Sequence, residues 1–367
     1  MDRIPVYMPD LSGNERKYVD DCIDSTWISS KGKYVGMFED AFAKYIGAKY
    51  AVSVNNGTIA LHLALLMLGI HAGDEVIVPT FTYIASVNAI TYTGAKPVLV
   101  DSCEETWQMD PEQVQKKITK KTKAIIAVHL YGHPCDMDAL MTLCNKYNLY
   151  MIEDCAEAVG SVYKGKKVGN IGHVSCFSFF GNKTITTGEG GMVLTNEKNL
   201  YEKAIHLKNQ GLADGYEYWH NIVGYNYRMT NICAAIGLAQ LERIDVFLEK
   251  KRSIAIKYRD KLKTIPVVTH KEDEGVIHSY WMNSIITRSN EERKRLNDYL
   301  EERGIETRPT FYPVHLMPMY LEKGDYHVAE KIGLRGINLP SWPGLTDDQI
   351  SYICKQIDTF YLEKVDG

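Results

Sequence analysis

"YAVSVNNGTIALHLALLMLGIHAGDEVIVP", residues 50–79, decides the fold of this 367-residue chain. A five-residue run ending in valine leads through Asn55, Asn56 and Gly57 into an apolar segment from Thr58 to Gly69, too long for one strand. A second short apolar run, Glu75 to Pro79, follows it. Strand, helix and strand in this order form the unit of a parallel sheet, because a crossover is needed to bring the second strand back in the same direction.

Outward from that stretch the alternation continues. "YIASVNAITYTG" (83–94) reads as helix and "KPVLV" (96–100) as strand, followed by a helix near 111–118. "AIIAVHL" (124–130) reads as strand, "MDALMTLCNKY" (137–147) as helix and "LYMIED" (149–154) as strand. Runs this apolar predict strands buried on both faces. The expected fold is therefore α/β, with a mostly parallel central sheet flanked by helices. "HVSCFSFF" and "GGMVLTN" add two strand-like runs, and a polar, Tyr-rich loop spans about 211–227. The segment 230–262 then reads as one long helix carrying the chain into a smaller C-terminal α/β domain. The expected units are 1–240, including the N-terminal arm, and 241–367.

Composition excludes several function classes. With 45% hydrophobic and 24% charged residues the chain can bury a large core. Its 42 basic and 46 acidic side chains give a net charge of -4, which offers no field for a nucleic-acid backbone. No run has the length of a signal-peptide core or a membrane span, so a cytoplasmic protein is expected. The eight cysteines form no C-x-x-C pair and read as reduced core residues. His129 and His133 stand four apart, as zinc ligands on a helix would, but Gly132 and Pro134 break any such helix, so no metal is expected.

Open parallel sheets bind ligands beyond the carboxyl ends of their strands. Gly57 and Thr58 open a helix directly after the first run, where free N–H groups and the helix dipole favour an anion such as phosphate; a structural N-cap is the plainer alternative. Asp154 ends "LYMIED", and a buried acid there needs a cationic partner or serves as a helix cap. Lys183, in "FSFFGNKTITTGEGG" (177–191), follows an aromatic run. Desolvation by such a wall lowers a lysine pKa and frees its amine for nucleophilic attack, although lysines in turns are common. A phosphate cradle, an acid and a reactive amine are together what pyridoxal phosphate requires.

Beyond these residues, long ordered segments resemble the DegT/StrS-type nucleotide-sugar aminotransferases of the aspartate-aminotransferase fold. They include residues 27–86, "VHLYGHPCDMDAL", "IEDCAEAVGS", residues 177–193, "GYNYRMTNICAAIGLAQL" and "RPTFYPVH". The resemblance implies a type I transferase that uses pyridoxal 5′-phosphate, with L-glutamate as amino donor and a nucleotide-linked 4-ketosugar, GDP-linked, as acceptor. It implies that Lys183 carries the cofactor and that Asp154 pairs with its ring nitrogen. Gly57, Thr58, Ser178, and Asn226 from a neighbouring subunit would hold the phosphate, so the chain would form a homodimer or larger assembly. Tyr83 would stack on the ring, and His315, Arg228 and Arg308 would face the substrate. Glu157 stands where many relatives carry glutamine, which leaves its role open. UDP- or dTDP-linked sugars, and a non-catalytic binding or regulatory protein, are the alternatives.

Overall fold

The structure is a computed structural model that describes residues 3–363. Its centre is a seven-stranded sheet built from β1 (Tyr50–Val54), β2 (Glu75–Pro79), β3 (Lys96–Val100), β4 (Thr122–Val128), β5 (Tyr150–Asp154), β6 (Val174–Ser178) and β7 (Gly191–Thr195). The spatial order is β1-β7-β6-β5-β4-β2-β3. All strands run in parallel except β7, which is antiparallel to both β1 and β6. The fold is the expected α/β type, with helices covering a mostly parallel sheet.

Alternate residues of each strand feed two separate cores, as the two-residue period of a strand requires. Val76 and Val78 pack into one core while Ile77 packs into the other; Ala124 and Ile126 divide from Ile125 and Ala127 in the same way. A third core lies around the C-terminal elements. There the four-stranded sheet Val268–Thr269, Asn283–Ile286, Gly336–Leu339 and Arg308–Pro309 packs with helices Asn290–Glu301 and Asp347–Leu362. Ile4 joins this third core, with its N–H on the Gly304 carbonyl and its carbonyl accepting from Glu306, so the start of the chain is tied to its far end.

The segment read as one helix is two. Asn231–Leu241 and Ile244–Leu262 are separated at Glu242 and Arg243, and Arg243 has left helical geometry (φ -116°, ψ 7°). Its guanidinium pairs with Asp10 at 2.9 Å, while Gln240 donates to the Asp10 carbonyl and to Glu15. Contacts with the N-terminal arm therefore outweigh the local helix preference of this sequence. Among the described residues no helix is long and apolar enough to cross a membrane. All eight cysteines are free.

Candidate active site

The carboxyl ends of β1, β2, β5 and β6 meet around a cavity of about 470 Å³. After β1, Asn56 caps the helix Gly57–Met67 by accepting from the Ile59 N–H at 2.9 Å. Gly57 and Thr58, the first two helical residues, line the cavity, and helix geometry leaves their N–H groups without intrahelical acceptors. Two glycines allow the chain to close here. A Cβ on Gly57 would stand 2.7 Å from the Ser178 Cβ, and one on Gly191 would stand 2.4 Å from the Asn56 carbonyl oxygen.

β6 delivers Ser178 and then the excursion that carries Lys183. Its base is closed by Phe179 N–H to Gly190 O at 2.8 Å and Thr187 N–H to Phe179 O at 2.9 Å, and Phe179 is anchored against Phe38 and Phe42. Within it Lys183 N–H bonds to the Phe180 carbonyl in a tight turn. Two distant groups hold the turn from outside: the Tyr7 hydroxyl donates to the Lys183 carbonyl, and the Trp281 indole N–H donates to the Asn182 carbonyl at 2.7 Å.

The amine so placed is 3.8 Å from Glu157 Oε1 and 3.9 Å from the centre of the Trp281 ring, and the lysine side chain is only 12% exposed. Burial lowers its pKa, opposed by Glu157 and Asp154. Asp154 ends β5 with Oδ2 accepting from the Ser86 hydroxyl at 2.7 Å and Oδ1 from the Ala156 N–H. Burial raises its pKa, and those two hydrogen bonds and Lys183 oppose the rise. Glu157 accepts the Tyr131 N–H at 2.7 Å through Oε2; burial pushes it up to about 7 against the pull of Lys183.

Gly57, Thr58, Tyr83, Asp154, Glu157, Ser178, Lys183 and Arg308 thus surround one cavity. Tyr83 is exposed, with its ring 5.6 Å from that of Phe311. Asn226 and Arg228 are not brought to it in this chain: exposed Asn226 accepts from Arg228 Nε at 3.0 Å, and the Arg228 carbonyl accepts from Asn55. His315 is also apart from the lining. It is buried, stacks on Tyr326, and bonds to Thr80 at 2.8 Å and Glu330 at 3.1 Å. Sequence reading missed Ser86, Trp281 and Phe311. Ser86 stands in the quoted helix of residues 83–94, but nothing in the sequence marks it as a donor to an acid so far away. His129 and His133 do not meet: His129 bonds to Glu153 at 3.1 Å, whereas His133 packs with His270 and His278.

The profile of the DegT/DnrJ/EryC1/StrS aminotransferase family matches residues 9–358. The chain belongs to this family. Among its aminotransferase relatives, GDP-perosamine synthase of Escherichia coli O157:H7 is 61% identical over 365 residues, covering 99% of this chain and 100% of that one. GDP-perosamine synthase of Vibrio cholerae is 55% identical, with 98% and 99% covered. The solved structure of DesV from S. venezuelae superposes with a TM-score of 0.92 at 34% identity, covering 98% of this chain and 99% of that one. The solved putative sugar aminotransferase Spr1654 of Streptococcus pneumoniae, 30% identical to this chain, appears in both PLP and PMP forms, and the cofactor of this aminotransferase is pyridoxal 5′-phosphate. The donor set suits that group part by part: a helix start for the phosphate, a buried carboxylate for a cationic ring nitrogen, and a desolvated amine for the aldehyde.

Proposed function

We propose that this aminotransferase moves the amino group of L-glutamate to C4 of GDP-4-keto-6-deoxy-D-mannose, yielding GDP-perosamine. The observation that carries the chemistry is the Lys183 amine, enclosed in the cavity with its nearest carboxylate oxygen 3.8 Å away. The sugar is supported by the near full-length likeness to relatives named for that product.

When bound, pyridoxal phosphate supplies a ring that delocalises the electron pair left on carbon when a proton departs. Lys183 Nζ is the base that takes the proton from Cα of L-glutamate, and in the second half-reaction the acid that delivers one to C4 of the sugar. Asp154, oriented by Ser86 and the Ala156 N–H, keeps the ring nitrogen protonated. Gly57, Thr58 and Ser178 hold the phosphate, joined by Asn226 of a neighbouring subunit, and Tyr83 covers the ring. Arg308 lines the cavity and is assigned to the sugar diphosphate, for which a guanidinium fork is suited. Arg228 acts beside Asn226. His315, engaged by Thr80 and Glu330, is reassigned from substrate contact to ordering the loop after β2. In this reading residues 1–240 form the cofactor-binding unit and 241–367 the smaller one, and two or more chains assemble.

The test is incubation with L-glutamate and a panel of GDP-, UDP- and dTDP-linked 4-ketosugars, with products weighed by mass spectrometry. Amination of the GDP-linked 6-deoxysugar is expected, and Lys183→Ala abolishes it. Preference for a UDP- or dTDP-linked sugar would overturn the assignment.

A further inference from the structure

Glu157 is the acid that faces the Lys183 amine most closely, its place in the reaction is unassigned, and its surroundings are specific. Its carboxyl is anchored on one side only. Oε2 accepts the Tyr131 N–H at 2.7 Å, whereas Oε1 accepts no hydrogen bond among the described residues and is the carboxylate oxygen facing Lys183 Nζ, 3.8 Å away. Tyr131 offers that N–H from a left-handed bend (φ 56°, ψ 8°), continued by Gly132 at φ +99°. A non-glycine residue held there costs of order 1–3 kcal/mol and persists only where its surroundings fix it. Here they do: the Tyr131 ring is fully buried and packs against both Trp281 and Phe311, with interplanar angles of 12° and 16°, in a cluster of three mutually touching rings. One residue therefore positions both partners. Its backbone holds the Glu157 carboxyl, and its ring backs the indole whose face covers the Lys183 amine.

We propose that Glu157 and Lys183 share one proton, which leaves Nζ for Oε1 when the amine must react and returns when the amine is released. In the step an N–H bond breaks with its electron pair staying on nitrogen, and an O–H bond forms on Oε1. The pair carries no net charge before or after, so no uncompensated charge is left in a desolvated site. Asp154 is the other acid near Nζ, but both its oxygens already accept hydrogen bonds, and Glu157 Oε1 is the closer ion-pair partner. The remaining neighbour on the Glu157 side, the Tyr131 backbone, does not titrate. Burial moves the two groups toward a common proton affinity, Glu157 upward to about 7 and Lys183 downward. A glutamine at residue 157 would fill the same space and accept the Tyr131 N–H, but could not take the proton.

The inference rests on Lys183 being the amine that carries the cofactor, and borohydride reduction of the loaded protein, followed by mapping of the cofactor to the peptide containing residues 177–191, checks that reading by itself. The sharing is tested on the full chain freed of cofactor, by labelling amines with trace acetic anhydride across a pH series and following Lys183 by mass spectrometry. A carboxylate within 4–6 Å raises a lysine pKa by about one unit or more. Glu157→Gln is therefore expected to lower the labelling midpoint by about one pH unit, which is about tenfold more labelling below the midpoint. An unchanged or raised midpoint overturns the proposal. A second readout is the infrared difference between loaded and cofactor-free protein: a protonated-carboxyl band is expected in the native chain and not in Glu157→Gln. Its absence from the native chain equally overturns the proposal, whatever the peptide map shows.

Discussion

The face of the Trp281 indole lies 3.9 Å from Lys183 Nζ, and the same side chain donates its N–H to the carbonyl of the preceding residue, Asn182, at 2.7 Å. One aromatic ring from the C-terminal part of the chain thus both walls the amine off from water and fixes the turn that carries it. Trp281→Leu removes the two effects together. A cation–π contact is worth about 0.5–2 kcal/mol and a hydrogen bond about 0.5–1.5 kcal/mol, so kcat/KM is expected to fall roughly tenfold to a hundredfold. Trp281→Phe keeps a ring and loses only the N–H, and its loss is expected to be several times smaller. Steady-state kinetics on the two variants decide the matter, and an undiminished kcat/KM in Trp281→Leu contradicts the role given to the ring.

At the other end of the cavity the constraint is steric. Gly57 has no space for a side chain, since its Cβ would meet the Ser178 Cβ at 2.7 Å, and neither group is the far end of a flexible chain. Gly57→Ala must push the helix start away from β6, where Ser178 and the two leading N–H groups converge. The expected result is a folded chain whose Kd for pyridoxal phosphate rises about tenfold or more, since a misplaced donor pair loses charge-assisted hydrogen bonds. Fluorescence titration of the cofactor-free protein measures it. Retention at the native Kd would mean that the cradle tolerates the shift.

Much of this was legible in the sequence because buried parallel strands announce themselves as apolar runs. β1, β2, β3, β5, β6 and β7 fall within the stretches read as strands, β4 begins two residues before its stretch, and Asp154, Lys183 and Gly57, which line the cavity, stand at or just past the ends of such runs. Trp281 gave no such sign. It sits just before the short strand Asn283–Ile286, and its meaning comes from packing against a turn nearly a hundred residues earlier. The break at Arg243 was hidden for a related reason: Glu and Arg are good helix formers, and it is contacts with the distant N-terminal arm, the ion pair to Asp10 among them, that interrupt them. His315 is the converse case: it lies outside the cavity lining and on Thr80 and Glu330, because a sequence does not tell which side of a loop its imidazole takes.

Three buried histidines give the protein a predictable acid sensitivity. The Tyr280 N–H donates to His278 Nδ1, His278 pairs through Nε2 with His270 Nδ1 at 3.2 Å, and His270 Nε2 bonds to the Thr106 carbonyl at 2.7 Å. His133 packs against both rings and bonds to the Pro134 carbonyl. Each ring in this chain must be neutral. Burial pushes His270 down to about 3 and lowers His278 and His133 as well, while Glu272, Asp273 and Arg252 are the charged groups around them. The unfolded histidines titrate near 6.5 and so bind more protons than the folded ones below that pH. Stability then rises with pH between about 3 and 6.5, and is lost as pH falls through 6.5, by up to about 1.4 kcal/mol per pH unit for each histidine. Glu157, raised to about 7, opposes this with one proton. A net loss of stability between pH 7 and 5.5 is therefore expected, read as a fall in urea midpoints. His270→Gln can keep both hydrogen bonds and should flatten the slope; an equal slope would place the acid sensitivity elsewhere.

Asn226 provides the sharpest test of assembly. It lies on an exposed segment whose neighbours Ile222 and Val223 are also exposed, and in its own chain it meets Arg228 rather than the cavity. If it completes the phosphate site of a neighbouring subunit, Lys183→Ala and Asn226→Ala damage different halves of a shared site. Each variant alone is expected to be inactive or nearly so. Mixed after co-refolding, half of the dimers pair one chain of each kind, and each such dimer holds one site with an intact lysine and an intact asparagine. Activity should then return to about a quarter of the native value in a two-fold symmetric dimer. If Asn226 served its own chain instead, no combination would assemble an intact site, and the mixture would stay as inactive as its parts. Capture through an affinity tag carried by only one of the two variants, with the other chain detected by mass spectrometry, checks that mixed dimers have formed, so a silent mixture that contains them speaks directly against the shared site.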